Sequence, residues 1–295
     1  MCGDPAGCGD GSDPAPLPKG EGEFKRQMRQ MKRSPSPLGR GLGGGVWCAS
    51  ILAALAVVAA PRPASADANA LWHIVSEQCV PDQKENHSPI PCAEVDLGGG
   101  YAVLKDLVGN TQYLLIPTAR LSGIESADVL SPNAPNYWAD AWHARTFVED
   151  RAHRRLPRDA LGMAINSLSG RTQNQLHIHI DCVRLDVRTA LREHATAIGP
   201  HWARFPVPLV GHDYMAMRIE QPELGAINPF VLVADGIAGA HSDMAHETLV
   251  VIGDRFQGKD GFVLLAGHAT PATGDWGAGE QLLDHACAAA TVAGQ

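Results

Sequence analysis

The sequence predicts an α+β fold, a mainly antiparallel sheet with flanking helices. Three observations carry that prediction. Short segments of apolar alternation recur along the chain, helix-like segments fall between them, and the two kinds do not alternate in the regular order that a parallel sheet requires. Of 295 residues, 45% are hydrophobic and 19% charged, enough apolar surface for one large or two small domains and too much for wholesale disorder. No internal repeat is evident.

The elements follow in order. Residues 70–79 read as a short helix. Residues 101–106 (YAVLKD) and 112–117 (QYLLIP) read as strands of a hairpin turning at Val108, Gly109 and Asn110. Over 131–153 the spacing becomes helical, with Trp138, Trp142 and Phe147 near one face after Pro132 and Pro135. Residues 161–167 and 176–183 are strands, the second strictly alternating, and 184–197 is a helix. Strands at 230–234, 248–252 and 262–266 and a helix at 280–290 complete the expectation.

Residues 1–66 stand apart as a basic extension. Their first 45 positions are rich in Gly, Pro and Ser and carry Lys25, Arg26, Arg29, Lys32, Arg33 and Arg40. An uncharged run, VWCASILAALAVVAA, then leads into PRPASA, where Ala64 and Ala66 have signal-cleavage spacing. Fifteen apolar residues are fewer than the roughly 20 of a spanning helix, so a signal peptide is expected, although the uncharged flank from Gly41 would lengthen it into an anchor. Met31 opens a conventional signal sequence. Gly39, Gly41 and Gly44 spell G-x-G-x-x-G with no strand before them, so they make no dinucleotide site. The expected domain is 67–295, exported to the periplasm or the periplasmic face of the inner membrane. It holds 16 Lys+Arg against 27 Asp+Glu, an acidic balance that excludes nucleic-acid binding by bulk charge. No protein partner is evident.

Export governs the cysteines. Cys79, Cys92, Cys182 and Cys287 are an even set in an oxidising compartment. The expected disulfides are Cys79–Cys92, closing a short loop, and Cys182–Cys287, tying the C-terminus to the central sheet. No C-x-x-C pair supports a redox or zinc-ribbon role.

The chemistry concentrates in AINSLSGRTQNQLHIHIDC, residues 164–182. On a strand Gln175, His177, His179 and Asp181 project from one face, and Leu176, Ile178, Ile180 and Cys182 from the other. The preceding loop offers Asn166, Ser167, Gly170, Arg171, Thr172 and Gln173, donors suited to an anion with a glycine that lets backbone approach. A neutral imidazole aimed there can attack phosphorus, and a second can protonate the leaving group. Two other readings compete: a solvated strand face, or a metal pair in which His177 and His179 converge with His212, His241 or His246. The loop donors favour the phosphoanhydride reading, since a metal site does not need them.

The run QLHIHI resembles the histidine-triad motif with Gln175 in the first position, and Gly170-Arg171-Thr172 resembles its Gly-Gln-Ser/Thr lead-in. CAEVDLGGGYAVLKDLVGNTQYLLIPTARLSGIES, AINSLSGRTQNQLHIHIDCVRLDVR and GHDYMAMR resemble the CDP-diacylglycerol pyrophosphatases, membrane-associated bacterial members of that superfamily, from about Leu71 to Cys287. The resemblance implies hydrolysis of CDP-diacylglycerol to CMP and phosphatidate at a membrane surface, without an obligatory cofactor or metal. It makes His177 the nucleophile, sets His179 on the phosphate and leaving group, and puts Asn166 and Thr172 beside them. Ser167, Gly170, Arg171, Gln173 and Gln175 complete the expected substrate-binding set, Gln175 in a supporting role. His212, Tyr214 and Arg218 match the same family without an assigned role, and Lys105 and Asp106 read as structural. Arg151, Arg154, Arg155 and Arg158 read first as a solvated helix end and second as a contact for anionic lipid. Trp138 and Trp142 read first as core and second as an apolar entrance. His143, His194, His201, His268 and His285 show no constellation. The alternatives are a periplasmic metal-binding protein and a nucleotide pyrophosphatase indifferent to lipid.

Overall fold

The computed structural model describes residues 67–290; the expected signal segment and Cys2, Cys8 and Cys48 lie outside them. Helix α1 (Ala70–Ile74) passes through a π-helical turn (Val75–Cys79) into α2 (Val80–Asn86), longer than the expected helix. Strands β1 (Glu94–Asp96), β2 (Tyr101–Lys105) and β3 (Tyr113–Pro117) precede α3 (Tyr137–Arg151), followed by β4 (Leu161–Ile165), β5 (Ile178–Val183) and α4 (Leu185–Glu193). Strands β6 (Ala203–Arg204) and β7 (Met215–Ile219), α5 (Pro229–Gly236), β8 (Glu247–Phe256), β9 (Lys259–His268) and β10 (Leu283–Asp284) complete the domain.

Two expected elements are corrected. Residues 230–234 lie in α5: their unbroken apolar run has no strand period, Pro229 opens the helix, and the Asn228 side chain accepts from the Phe230 N–H. Residues 280–290 form no α-helix but a 3₁₀ turn (Gly279–Leu282), β10 and a second 3₁₀ turn (Ala288–Ala290). Cys287, at φ 50°, breaks any continuous helix there.

One antiparallel sheet runs β1-β2-β3-β5-β4-β8-β9-β7-β6, with β10 on β5. Its order is palindromic about the β4–β8 pair. Strand, strand, helix, strand, strand describes β2-β3-α3-β4-β5 and again β6-β7-α5-β8-β9, with matching pairings. The chain thus contains a structural repeat that its sequence does not show. Helices α3 and α5 cover one face, where Trp138 meets Phe230 at 5.3 Å and Trp142 meets Phe262 at 5.0 Å, both edge-on. The two tryptophans are fully buried, so they are core and line no entrance. On the opposite face Ala164, Val183, Val250, Val263 and Leu265 pack with Val187 and Leu191 of α4. His179, opposite Ala164 and Leu114, shares that second face.

Both disulfides form as expected, Cys79–Cys92 and Cys182–Cys287. The second closes 105 residues, and a native bridge of this kind contributes ~2–5 kcal/mol. Replacing Cys182 and Cys287 together by alanine is expected to lower the midpoint of thermal unfolding by several degrees, read by circular dichroism; an unchanged midpoint would show that the bridge adds nothing.

Candidate active site

His177 enters β5 with its Nδ1 2.7 Å from the Gln175 backbone oxygen. A carbonyl only accepts, so Nδ1 carries the proton and Nε2 keeps the lone pair. Gln175 fixes that carbonyl: its buried amide donates to Pro117 O at 3.0 Å and Ala119 O at 2.8 Å, joining the start of β5 to the end of β3. Burial, reinforced by the neighbouring His179, lowers the His177 pKa to about 4.

His179 lies edge-on to His177, centroids 4.9 Å apart. Its Nδ1 is 3.1 Å from Gln112 Nε2 and 3.1 Å from Glu280 Oε2. Gln112 also donates to the Asp106 carboxylate, which orients its amide. Nδ1 therefore either accepts from Gln112, leaving a proton on Nε2, or donates to Glu280; the two neighbours make the ring a proton relay. Its Nε2 is buried and without a hydrogen-bond partner among the described residues. Burial lowers the His179 pKa to about 4 and raises that of Glu280. The Glu280 backbone N–H donates to Asn166 Oδ1 at 3.1 Å, so Asn166 seats the carboxylate.

Further along the same face Asp181 is completely buried and accepts from Thr111 Oγ1 at 2.6 Å and Cys182 N at 2.8 Å. Its other oxygen is 3.2 Å from His285 Nδ1, and this bond, outweighing burial, raises the His285 pKa. His285 therefore has a constellation the sequence did not show. So do Glu280, Gln112 and Asp106, the last expected to be structural. Only Asp181 carried a signal, its place in the alternation.

The 166–175 loop is built differently from the expected anion cradle. Ser167 Oγ accepts from Ser169 N and Gly170 N and donates to Trp276 O, so it folds the loop. Gly170 lies where a Cβ would come within 2.7 Å of Trp276 O, a backbone contact that only glycine allows. Arg171 makes a bidentate pair with Glu125 at 2.6 and 2.7 Å and is buried there rather than standing free for a ligand. Gln173 holds the entry to α1, accepting from Leu71 N and donating to Asp67 O. Thr172 is exposed on this loop.

The competing readings meet their geometry here. His177 and His179 are 7% and 5% exposed, so their strand face is not solvated. His212, His241 and His246 pair with Asp275, Asp235 and Asp243, and among the described residues no cluster of three or more His, Cys, Asp or Glu is placed to hold a metal. A cavity of about 950 Å³ lined by His212, Tyr214, Glu247, His268 and Asp275 lies beside the site. Gln281, next to Glu280, reaches Tyr214 Oη at 3.3 Å across that boundary. Arg218 pairs with Glu220 and Ile198 O, a structural arrangement.

A nucleophile must be neutral, and His177 stays neutral until pH falls to about 4. The acid limb of kcat/KM is therefore expected near pH 4 rather than at the ordinary histidine value, and a limb at pH 6.5 would contradict the burial of His177.

Residues 66–291 match the profile of a family described as CDP-diacylglycerol pyrophosphatase. A protein of that description from Yersinia pestis is 44% identical over 225 residues, covering 75% of this chain and 84% of the relative. Among solved structures, a DUF4931 family protein from Bacillus cereus aligns with TM-score 0.40 at 10% identity, over 60% of this chain and 84% of that one, too slight a likeness to build on. The profile and the Yersinia relative both cover the segment with His177 and His179, and the chain belongs to the CDP-diacylglycerol pyrophosphatase family, hydrolases of a pyrophosphate bond.

Proposed function

We propose that the chain hydrolyses CDP-diacylglycerol to CMP and phosphatidate through a nucleotidyl-histidine on His177. The observation that carries this is the His177 Nδ1 bond to the Gln175 carbonyl, which leaves Nε2 with its lone pair on a ring 4.9 Å from that of His179, whose buried Nε2 has no hydrogen-bond partner among the described residues. His177 Nε2 attacks the cytidylyl phosphorus, an N–P bond forms, and the bond to the bridging oxygen breaks. Phosphatidate departs as an anion, its oxygen held by the His179 Nε2–H that Gln112 maintains by donating to Nδ1. Water then attacks the phosphoramidate, its proton passing through His179 to Glu280, which faces Nδ1; CMP leaves and His177 regains its Nε2 lone pair.

The same reading sets the enzyme outside the cytoplasm at a membrane, supported by the 46–66 segment and by two disulfides. Phosphorus NMR of the enzyme with CDP-diacylglycerol in mixed micelles is expected to show CMP and phosphatidate, unchanged by excess chelator. Loss of turnover restored by zinc would favour the metal reading; equal turnover of a water-soluble nucleotide pyrophosphate would favour a hydrolase indifferent to lipid.

A further inference from the structure

Eight large hydrophobic side chains are exposed among the described residues, and four belong to segments that hold the site. Leu107 and Val108 follow Asp106, Leu168 follows Asn166 and Ser167, and Trp276 lies four positions before Glu280. Leu168 and Trp276 are 48% and 55% exposed. Backbone bonds hold both where they are: Leu168 N donates to Ala245 O at 2.8 Å, Ser167 N to Gly277 O at 2.9 Å, and Ser167 Oγ to Trp276 O at 2.6 Å. Gly170 packs against the carbonyls of Trp276 and Gly277 with no room for a side chain. Two water-facing apolar side chains are thus fixed on a rigid pair of loops, one running into His177 and the other into Glu280. An exposed tryptophan on a rigid support suits the boundary between acyl chains and head groups, where its ring is half apolar and half wet.

Charge argues for the same kind of contact. Residues 67–295 carry 16 basic against 27 acidic side chains, so attraction to anionic lipid does not hold this domain at a bilayer. The four arginines that the sequence offered for that role are already bonded: Arg151 to Asn110 O, Arg154 to Ala290 O, Arg155 to Glu149, and Arg158 to Gly261 O and Pro222 O over the Trp142 and Phe262 rings. We propose that Trp276 and Leu168 form an apolar rim that inserts into the bilayer surface and admits the acylated substrate to His177. The proposal rests on the reading of the chain as a hydrolase of a diacyl lipid, and its consequence is a rim that serves substrate presentation and not the chemical step.

The full chain serves for the test. Vesicles of neutral phosphatidylcholine with brominated acyl chains quench tryptophan at the acyl boundary, and the difference between the parent and Trp276→Phe isolates Trp276 from the other tryptophans. Greater quenching of the parent is expected; equal quenching overturns the proposal. In parallel, a Trp276→Ala/Leu168→Ser variant is assayed on CDP-diacylglycerol in these vesicles and on a water-soluble CDP ester without acyl chains. The vesicle rate is expected to fall about 10- to 100-fold, the loss that follows when one buried aromatic no longer inserts. The soluble rate is expected to stay within about twofold. A parallel fall on both substrates overturns the proposal by assigning the rim to the chemistry or the fold. If the parent hydrolyses neither substrate, the hydrolase reading fails while the quenching result still decides where Trp276 sits.

Discussion

Replacing His177 by alanine is expected to lower turnover of CDP-diacylglycerol on the order of 10⁴-fold or more, because the attacking atom is removed and only binding and electrostatics remain. The loss should fall on kcat with little change in KM, since the ring is held by the Gln175 carbonyl and its free nitrogen is used in the transition state. Gln175→Ala is the informative companion. It leaves the backbone carbonyl in place but removes the amide that ties the strand entry to Pro117 O and Ala119 O. A smaller loss is expected there, with His177 intact but less well aimed. A Gln175→Ala variant as inactive as His177→Ala would mean that the amide, not the carbonyl, governs the nucleophile.

Removing His179 is expected to cost on the order of 10²–10⁴-fold, the range for a group that relays a proton in general acid–base catalysis. The nucleophile survives, so an enzyme adduct should still form, slowly. Glu280→Gln should cost less and should couple to His179: because Glu280 Oε2 acts through the imidazole 3.1 Å away, the double variant is expected to be little worse than His179→Ala alone. Additive losses would show that Glu280 touches substrate independently. The split between kcat and KM gives a second readout. Because Glu280 acts through His179, its replacement should lower kcat while leaving KM nearly constant.

Period-two alternation made β5 legible, and with it the face shared by His177, His179 and Asp181, because a strand's side-chain direction follows from position alone. The α5 segment was misread because Phe230 to Ala234 is apolar on every side; Pro229 and Asn228, which cap it, were the signals that outweighed composition. Likewise the alanines after Cys287 suggest helix, but the Cys182–Cys287 bridge and the positive φ at Cys287 hold that stretch in turns. Glu280 and His285 lie about a hundred residues from His179 and Asp181, which they meet, and share no spacing with them, so only the fold brings them in. The polar residues of the 166–175 loop suit a ligand by type, and the bonds that Ser167, Arg171 and Gln173 make within the fold are not legible from type alone, because residues that bind phosphate also build turns. The repeat leaves no trace in the residues because Val263 and Leu265 of β9 occupy the face on which β5 places His177 and His179.

Covalent nucleotidylation of His177 is open to direct capture. Rapid mixing of the enzyme with labelled CDP-diacylglycerol, an alkaline quench that preserves phosphoramidates, and mass analysis of the peptides, with oxygen-18 water as a parallel arm, is expected to give a cytidylyl adduct on His177 and oxygen-18 in CMP. An adduct on His179, or oxygen-18 found in phosphatidate with no adduct on either histidine, would rule out His177 as the nucleophile.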